Sequence, residues 1–277
     1  MAFIQVNLLS RCLMRTVPVN VILPVDKLTF PGQPEREEKP FKTLYLLHGI
    51  FGSYIDWVNG TRIERFANEH DLAVVMPSGD NAFYVDQADT NNFYGAFVGQ
   101  ELVELTRRLF PLSRKREDTF IGGLSMGGYG AMRNGLKYSD TFGCIISLSG
   151  ALHLEEMAAR TEDPGPFLNN ASYIRALFGD QSKLLESDCN PKYLIHQLKA
   201  AGKPIPRIYM ACGDQDSLLP ANRDMAAFLM AQGVDVTFEI GPGNHEWDFW
   251  DTYIREAIQW LPTERTGEGI HSGNVGI

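Results

Sequence analysis

The segment Phe120-Ile121-Gly122-Gly123-Leu124-Ser125-Met126-Gly127-Gly128-Tyr129-Gly130 constrains the fold of this chain more than any other. An apolar strand end runs straight into Gly123-Leu124-Ser125-Met126-Gly127, and a small-residue helix start follows. Gly-x-Ser-x-Gly in that setting is a nucleophile elbow, a tight strand-to-helix turn that projects the serine hydroxyl from the end of a sheet. Gly123 and Gly127 are expected where a Cβ would strike the neighbouring strand or helix. The pentapeptide alone is a common pattern. Its weight comes from Asp and His candidates that follow in the order Ser…Asp…His.

The rest of the chain alternates strands and helices, which predicts an α/β fold with a mostly parallel central sheet and helices on both faces. Residues 3–9 and 17–23 read as an opening antiparallel pair, and 43–47, 72–76, 119–121, 143–148, 207–212 and 236–240 as further strands. Helices are expected over 57–69, 99–110, 128–137, 191–201, 221–232 and 246–261. The polar, proline-punctuated stretch 31–40 reads as an exposed loop. A longer loop, 78–92, holds Phe83 and Tyr84 and ends at Phe93 and Tyr94, aromatics that favour a packed wall. Residues 151–190 break the rhythm and read as a small insertion, and 264–277 as a mobile Gly-rich tail. The organisation expected is one domain over 1–263.

Bulk properties narrow the partners. A length of 277 residues suits one large domain, and 44% hydrophobic residues suffice for its core. A net charge of −9 argues against nucleic acid and anionic membrane surfaces. No apolar run approaches the roughly 20 residues of a membrane-spanning helix. The N-terminal residues alternate like a strand and lack a basic stretch followed by an apolar one, so a cytoplasmic location is expected. Cys12, Cys144, Cys189 and Cys212 are scattered, with no Cys-x-x-Cys pair, and read as reduced structural thiols rather than metal ligands.

A serine hydroxyl near neutral pH needs a base to take its proton and a third group to orient that base. His245, in Gly241-Pro242-Gly243-Asn244-His245-Glu246-Trp247 after the last strand, is the leading base. His70, His153, His196 and His271 fall at the far sheet end, in the insertion, on a surface helix and in the tail. The orienting acid should follow strand 207–212, where Asp214 and Asp216 both occur. The oxyanion of a tetrahedral intermediate needs two N–H donors. Met126, at the start of the elbow helix, supplies one. The loop His48-Gly49-Ile50-Phe51-Gly52 supplies the other, assigned to Ile50 with Phe51 as the alternative. His48 is expected to brace that loop by hydrogen bonding.

Together, Leu46-Leu47-His48-Gly49, Asp56-Trp57, Gly123-Leu124-Ser125-Met126-Gly127-Gly128, Cys212-Gly213-x-x-Asp216 and His245-Glu246-Trp247-x-Phe249-Trp250-Asp251 resemble the esterase D group across essentially the whole chain. Within that group the chain is most similar to bacterial tributyrin esterases; relatives include S-formylglutathione hydrolases, feruloyl esterases and mycolyltransferases. The resemblance implies an α/β-hydrolase fold with 151–190 as a cap over the active site. It implies a serine carboxylesterase with a Ser125-His245-Asp216 triad, acting without metal or organic cofactor on small esters of acetyl to butyryl length. The acid falls to Asp216 because the group places it fourth in Gly-x-x-Asp, leaving Asp214 to brace the loop. Phe51, Trp57 and Trp247 are candidate substrate contacts, and a homodimer or homotetramer is implied. A feruloyl or sugar-acetyl esterase is the alternative. S-formylglutathione hydrolases usually carry Ser-Gly where this chain has His48-Gly49, followed by a Cys-Thr pair where it has Phe51-Gly52-Ser53-Tyr54. A non-catalytic binding module would be signalled by a missing triad member, and none is missing.

Overall fold

The computed structural model describes residues 1–32, 39–165 and 170–275. Its main sheet contains β1 (Ala2–Ser10), β2 (Arg15–Leu23), β3 (Lys42–Leu47), β4 (Leu72–Pro77), β7 (Thr119–Leu124), β8 (Cys144–Leu148), β9 (Arg207–Gly213) and β10 (Val236–Gly241). A separate two-stranded ribbon pairs β5 (Asp86–Gln87) with β6 (Asn92–Phe93). The order across the main sheet is β1-β2-β4-β3-β7-β8-β9-β10, with β1, β2 and β4 paired antiparallel and the rest parallel.

From β3 the chain moves to one side to form β4 and later to the other side to form β7. The strand order therefore reverses between β3 and β7, and the crevice beyond the strand ends at such a reversal is where α/β sheets place ligands. The loop after β3 begins at His48, and Ser125 follows β7.

Helices cover both faces, so the central strands are buried on both sides and read as apolar runs. Tyr45 and Leu47 of β3 face one cluster with Met132 and Leu136 of the elbow helix Met126–Lys137 and Met225 and Leu229 of the helix Leu219–Ala231. Leu44 and Leu46 face the other, with Phe66 of the helix Ile63–Glu69 and Ile254 and Ile258 of the helix Trp247–Trp260. Cys144 and Cys212 are buried in their strands, as expected.

Several boundaries differ from expectation. The single helix expected over 57–69 is two, Asp56–Gly60 and Ile63–Glu69, because Thr61 is extended and the Arg62 N–H donates to Asp251 Oδ1 at 2.7 Å. The helix expected from residue 99 starts at Tyr94, passes through a π-helical segment, Phe97–Glu101, and continues as Leu102–Leu109. Leu102 and Val103 are buried on it, but Leu109 in its last turn is exposed.

Pro31, Gly32, Lys39 and Pro40 are exposed, while the rest of that expected loop, 33–38, lies outside the described residues. In the 78–92 loop, Ala82, Phe83, Tyr84 and Val85 are buried, forming the expected wall. Within 151–190 are the helices Leu154–Ala159 and Ala171–Phe178 and a 3-10 turn, Gln181–Glu186; residues 166–169 lie outside the described residues. Tyr173 and Phe178 of this insertion pack on Phe83 at ring-centroid distances of 6.4 and 5.8 Å. The buried Arg133 of the elbow helix pairs with Asp188 at 2.9 Å and with Asp86 at 3.7 Å, holding insertion and loop to one helix. After residue 263, Thr266 donates its N–H to Glu69 O and Ile270 bridges to Leu28; residues 276–277 lie outside the described part.

Candidate active site

Ser125 sits at φ 55°, ψ −118°, between β7 and the elbow helix. A non-glycine residue at positive φ costs on the order of 1–3 kcal/mol and persists only where its surroundings enforce it. Here the Ser125 N–H donates to Leu148 O at 2.9 Å, and Ser125 O accepts from Tyr129 and Ala151 at 3.0 Å each. The glycines make the turn sterically feasible. A Cβ on Gly123 would lie 2.4 Å from Gly127 O, and one on Gly127 would lie 2.4 Å from Leu47 O.

The Ser125 hydroxyl and His245 Nε2 are 3.0 Å apart, and His245 Nδ1 is 2.8 Å from Asp216 Oδ2. Asp216 is buried, and its second oxygen accepts the Leu218 N–H at 2.8 Å. Burial alone would raise the Asp216 pKa. Hydrogen bonds from His245, the Leu218 N–H and the Ser149 hydroxyl outweigh it, and the carboxyl lies below its ordinary 3.8. Asp214 instead accepts the Gly243 N–H at 3.2 Å, tying the acid loop to the histidine loop. The two loops approach closely at Gly213, where a Cβ would come 2.4 Å from Gly243 O. A hydroxyl, an imidazole and a buried carboxylate in this chain can move a proton off the serine and stabilise the resulting imidazolium.

The donors expected for an oxyanion lie beside this chain. A Cβ on Gly49 would lie 3.6 Å from Ser125 Cβ, which brings the β3 loop against the elbow. Gly49 O is held by the Gly52 N–H at 3.2 Å and by His48 Nδ1 at 2.7 Å. The planar trans peptide then aims the Ile50 N–H the opposite way. Among the described residues, neither the Ile50 nor the Met126 N–H has an acceptor. The alternative donor, Phe51, already gives its N–H to Asn81 Oδ1 at 2.8 Å.

His48 braces this loop. Its Nε2 accepts the Gly79 N–H at 2.8 Å, so in the neutral ring the proton sits on Nδ1, facing Gly49 O. Burial lowers its pKa below the ordinary 6.5, although the Gly49 carbonyl, Asp56 and Asp80 pull it up. Burial shifts His70 and His153 the same way. As pH falls the unfolded chain protonates these rings first, so their contribution to stability is full above about pH 6.5 and is lost progressively below it. Tm should therefore fall as pH drops from about 7.5 to about 5, and His48→Gln should flatten that fall. An unchanged slope in the variant would contradict a neutral brace.

The aromatic candidates divide. Phe51 is 64% exposed, whereas Trp57 is 1% exposed, its Nε1 donating to Leu47 O at 3.0 Å. Trp247 is half-buried between Trp57 and Trp250, at centroid distances of 5.8 and 5.2 Å. Trp250 packs its ring edge-on to His245 at 4.9 Å and donates Nε1–H to Ser149 at 3.2 Å.

Sequence reasoning missed Ser149, Asn222 and Asn81. Asn222 is fully buried and clasps Gly150 through both its N–H and its C=O, at 3.2 and 2.9 Å. Its only sequence signal is its place in the helix behind the acid loop. Ser149 and Asn81 carry none, because their partners are distant in the chain. Among the described residues, no group of three His, Cys, Asp or Glu side chains could hold a metal ion, and no helix is long and apolar enough to cross a membrane.

The sheet, the elbow and the Ser125–His245–Asp216 chain of hydrogen bonds define a serine hydrolase of the α/β-hydrolase fold. Residues 10–261 match the profile of the Esterase family, described as "Putative esterase". The chain belongs to that family and is a carboxylic-ester hydrolase. It is 45% identical over 261 residues to an acetyl esterase of Caldicellulosiruptor saccharolyticus, covering 94% of this chain and 98% of that one. Among solved structures it is similar to FphF, a fluorophosphonate-binding serine hydrolase of Staphylococcus aureus, with a TM-score of 0.81 and 34% identity. It is also similar to an S-formylglutathione hydrolase of Staphylococcus aureus, with a TM-score of 0.79 and 34% identity. Both likenesses cover 94% of this chain and 98% of the other.

Proposed function

We propose that the chain hydrolyses short acyl esters, acetyl to butyryl, through a Ser125-His245-Asp216 triad and a covalent acyl-enzyme. The observation that carries the mechanism is the pair of hydrogen bonds, 3.0 and 2.8 Å, that joins three residues remote in sequence. Ser125 Oγ attacks the ester carbonyl as His245 Nε2 takes its proton. The oxyanion sits against the Ile50 and Met126 N–H groups, where preorganised donors are worth more than in water. His245 then returns the proton to the departing alcohol, leaving the acyl group on Ser125. A water deprotonated by the same histidine releases the acid. Asp216, ionised throughout, holds the imidazole tautomer.

The acetyl end of the acyl range is supported by the acetyl esterase relative, and its extension to butyryl by the resemblance to tributyrin esterases. The 34% identical S-formylglutathione hydrolase supports a second reading, a small-acyl thioesterase with the same triad. A panel of p-nitrophenyl acetate, butyrate and octanoate, methyl ferulate, acetylated xylose and S-formylglutathione separates these readings. Acetate and butyrate esters should give the highest kcat/KM, with a burst of p-nitrophenol and an acyl-sized mass increase at Ser125. Faster turnover of octanoate or ferulate would overturn the acyl length. A clear preference for S-formylglutathione would favour the thioester.

A further inference from the structure

The geometry points to Asn81 as a positioning residue that couples the insertion to the oxyanion loop, so that the insertion helps to aim the Ile50 N–H. This rests on Ile50 being an oxyanion donor. Phe51, next to Ile50, has φ +64°, a backbone conformation that a residue with a bulky side chain rarely adopts without enforcement. The turn closed by the Gly52 N–H on Gly49 O sets it, and Asn81 Oδ1 adds a restraint from outside the turn by accepting the Phe51 N–H at 2.8 Å. The same residue's main-chain carbonyl accepts the Tyr173 hydroxyl at 2.7 Å. Tyr173 lies on the insertion helix Ala171–Phe178, so one residue joins insertion and oxyanion loop in two steps.

The segment bearing Asn81 is stiff enough to transmit position. Asp80, Phe83 and Tyr84 all have positive φ, and such residues occur together only where surrounding contacts over-determine the backbone. Those contacts are present. Arg15 and Tyr94 both bond the Asp80 carboxylate, and the Tyr84 hydroxyl donates to His48 O at 3.0 Å. His48 holds the Gly49 carbonyl side of the Gly49–Ile50 peptide, and Asn81 holds the Phe51 N–H one peptide further on. The Ile50 amide lies between these two anchors. Losing the Asn81 anchor removes one restraint on the Ile50–Phe51 peptide and lets the Ile50 N–H shift from its aim at the oxyanion. Such a change acts on the transition state far more than on bound ester.

Kinetics on p-nitrophenyl acetate test this with Asn81→Ala, Tyr173→Phe and the double variant. Binding of an aryl trifluoromethyl ketone, which forms a hemiketal at Ser125, is measured alongside. Asn81→Ala should lower kcat by about tenfold, since a misplaced donor loses part of its effect, with KM little changed and ketone affinity falling in parallel. Tyr173→Phe should lower kcat by about threefold. In the Asn81→Ala background it should cost nothing further, because contacts that act in series are not additive. A loss of general stability would lower Tm without the parallel fall in ketone affinity. Unchanged kcat in Asn81→Ala, or a Tyr173→Phe cost that persists in full in the double variant, overturns the coupling. If Asn81→Ala does not fold, Tyr173→Phe alone decides, and unchanged kcat and ketone affinity refute the role. Wild type that forms no ketone adduct at Ser125 would instead sink the triad reading itself.

Discussion

Ser125→Ala is expected to lower kcat on p-nitrophenyl acetate by about 10⁴- to 10⁶-fold while leaving the fold intact. The substitution deletes the only nucleophile that the elbow presents, and neither His245 nor the Ile50 and Met126 amides can replace it. Residual hydrolysis would come from bound ester polarised by those amides, which survives loss of a triad member in other serine hydrolases. Little stability should be lost. Among the described residues the side chain's one hydrogen bond is to His245, and the backbone bonds that hold the turn at positive φ are independent of it. Single-turnover kinetics and Tm on the same preparation check both halves. Activity above about one per cent of wild type, with the hydroxyl gone, would mean that the ester is attacked by another group.

Asp216→Asn is expected to cost about 10⁴-fold in kcat, and Asp214→Asn less than about threefold. An amide at 216 cannot stabilise an imidazolium, and it offers Nδ1 either an N–H or a weaker acceptor, which favours the wrong tautomer. The two carboxylates differ in what they hold. Asp216 is buried on His245 and kept ionised by three hydrogen-bond donors. Asp214 accepts one N–H, from Gly243, which an amide oxygen accepts equally well. The Asp216→Asn loss should be confined to kcat, with KM close to wild type. If the large loss fell on Asp214→Asn, the acid would be reassigned.

Legibility in the sequence followed the range of the forces involved. The elbow was readable because its requirements are local: two glycines where backbones approach within 2.4 Å of a would-be Cβ, and a serine between strand and helix. The order of strands and helices was readable because hydrophobic periodicity is a local property. The break at Thr61-Arg62 was not, since it depends on Asp251, 189 residues downstream. Trp57 illustrates the same limit. Its composition fits a pocket wall or a core, and only the Leu47 carbonyl above its indole N–H and the Trp247 ring beside it place it in the core.

By itself, then, the chain's order of residues determined the α/β architecture, the strained serine and the sequence Ser…Asp…His, because each rests on steric and periodic rules that operate over a few neighbours. The residues alone left the acid open between Asp214 and Asp216, and the resemblance favoured Asp216; tertiary structure brings Asp216 to 2.8 Å from His245 and turns Asp214 to the Gly243 N–H. Tertiary structure also decided that the Phe51 amide is taken while Ile50's is not, and that Asn81 stands between the insertion and the loop after β3. Those choices turn on hydrogen bonds between segments 29 to 120 residues apart, whose partners become neighbours only when β4, β3, β7, β8, β9 and β10 are assembled in one sheet.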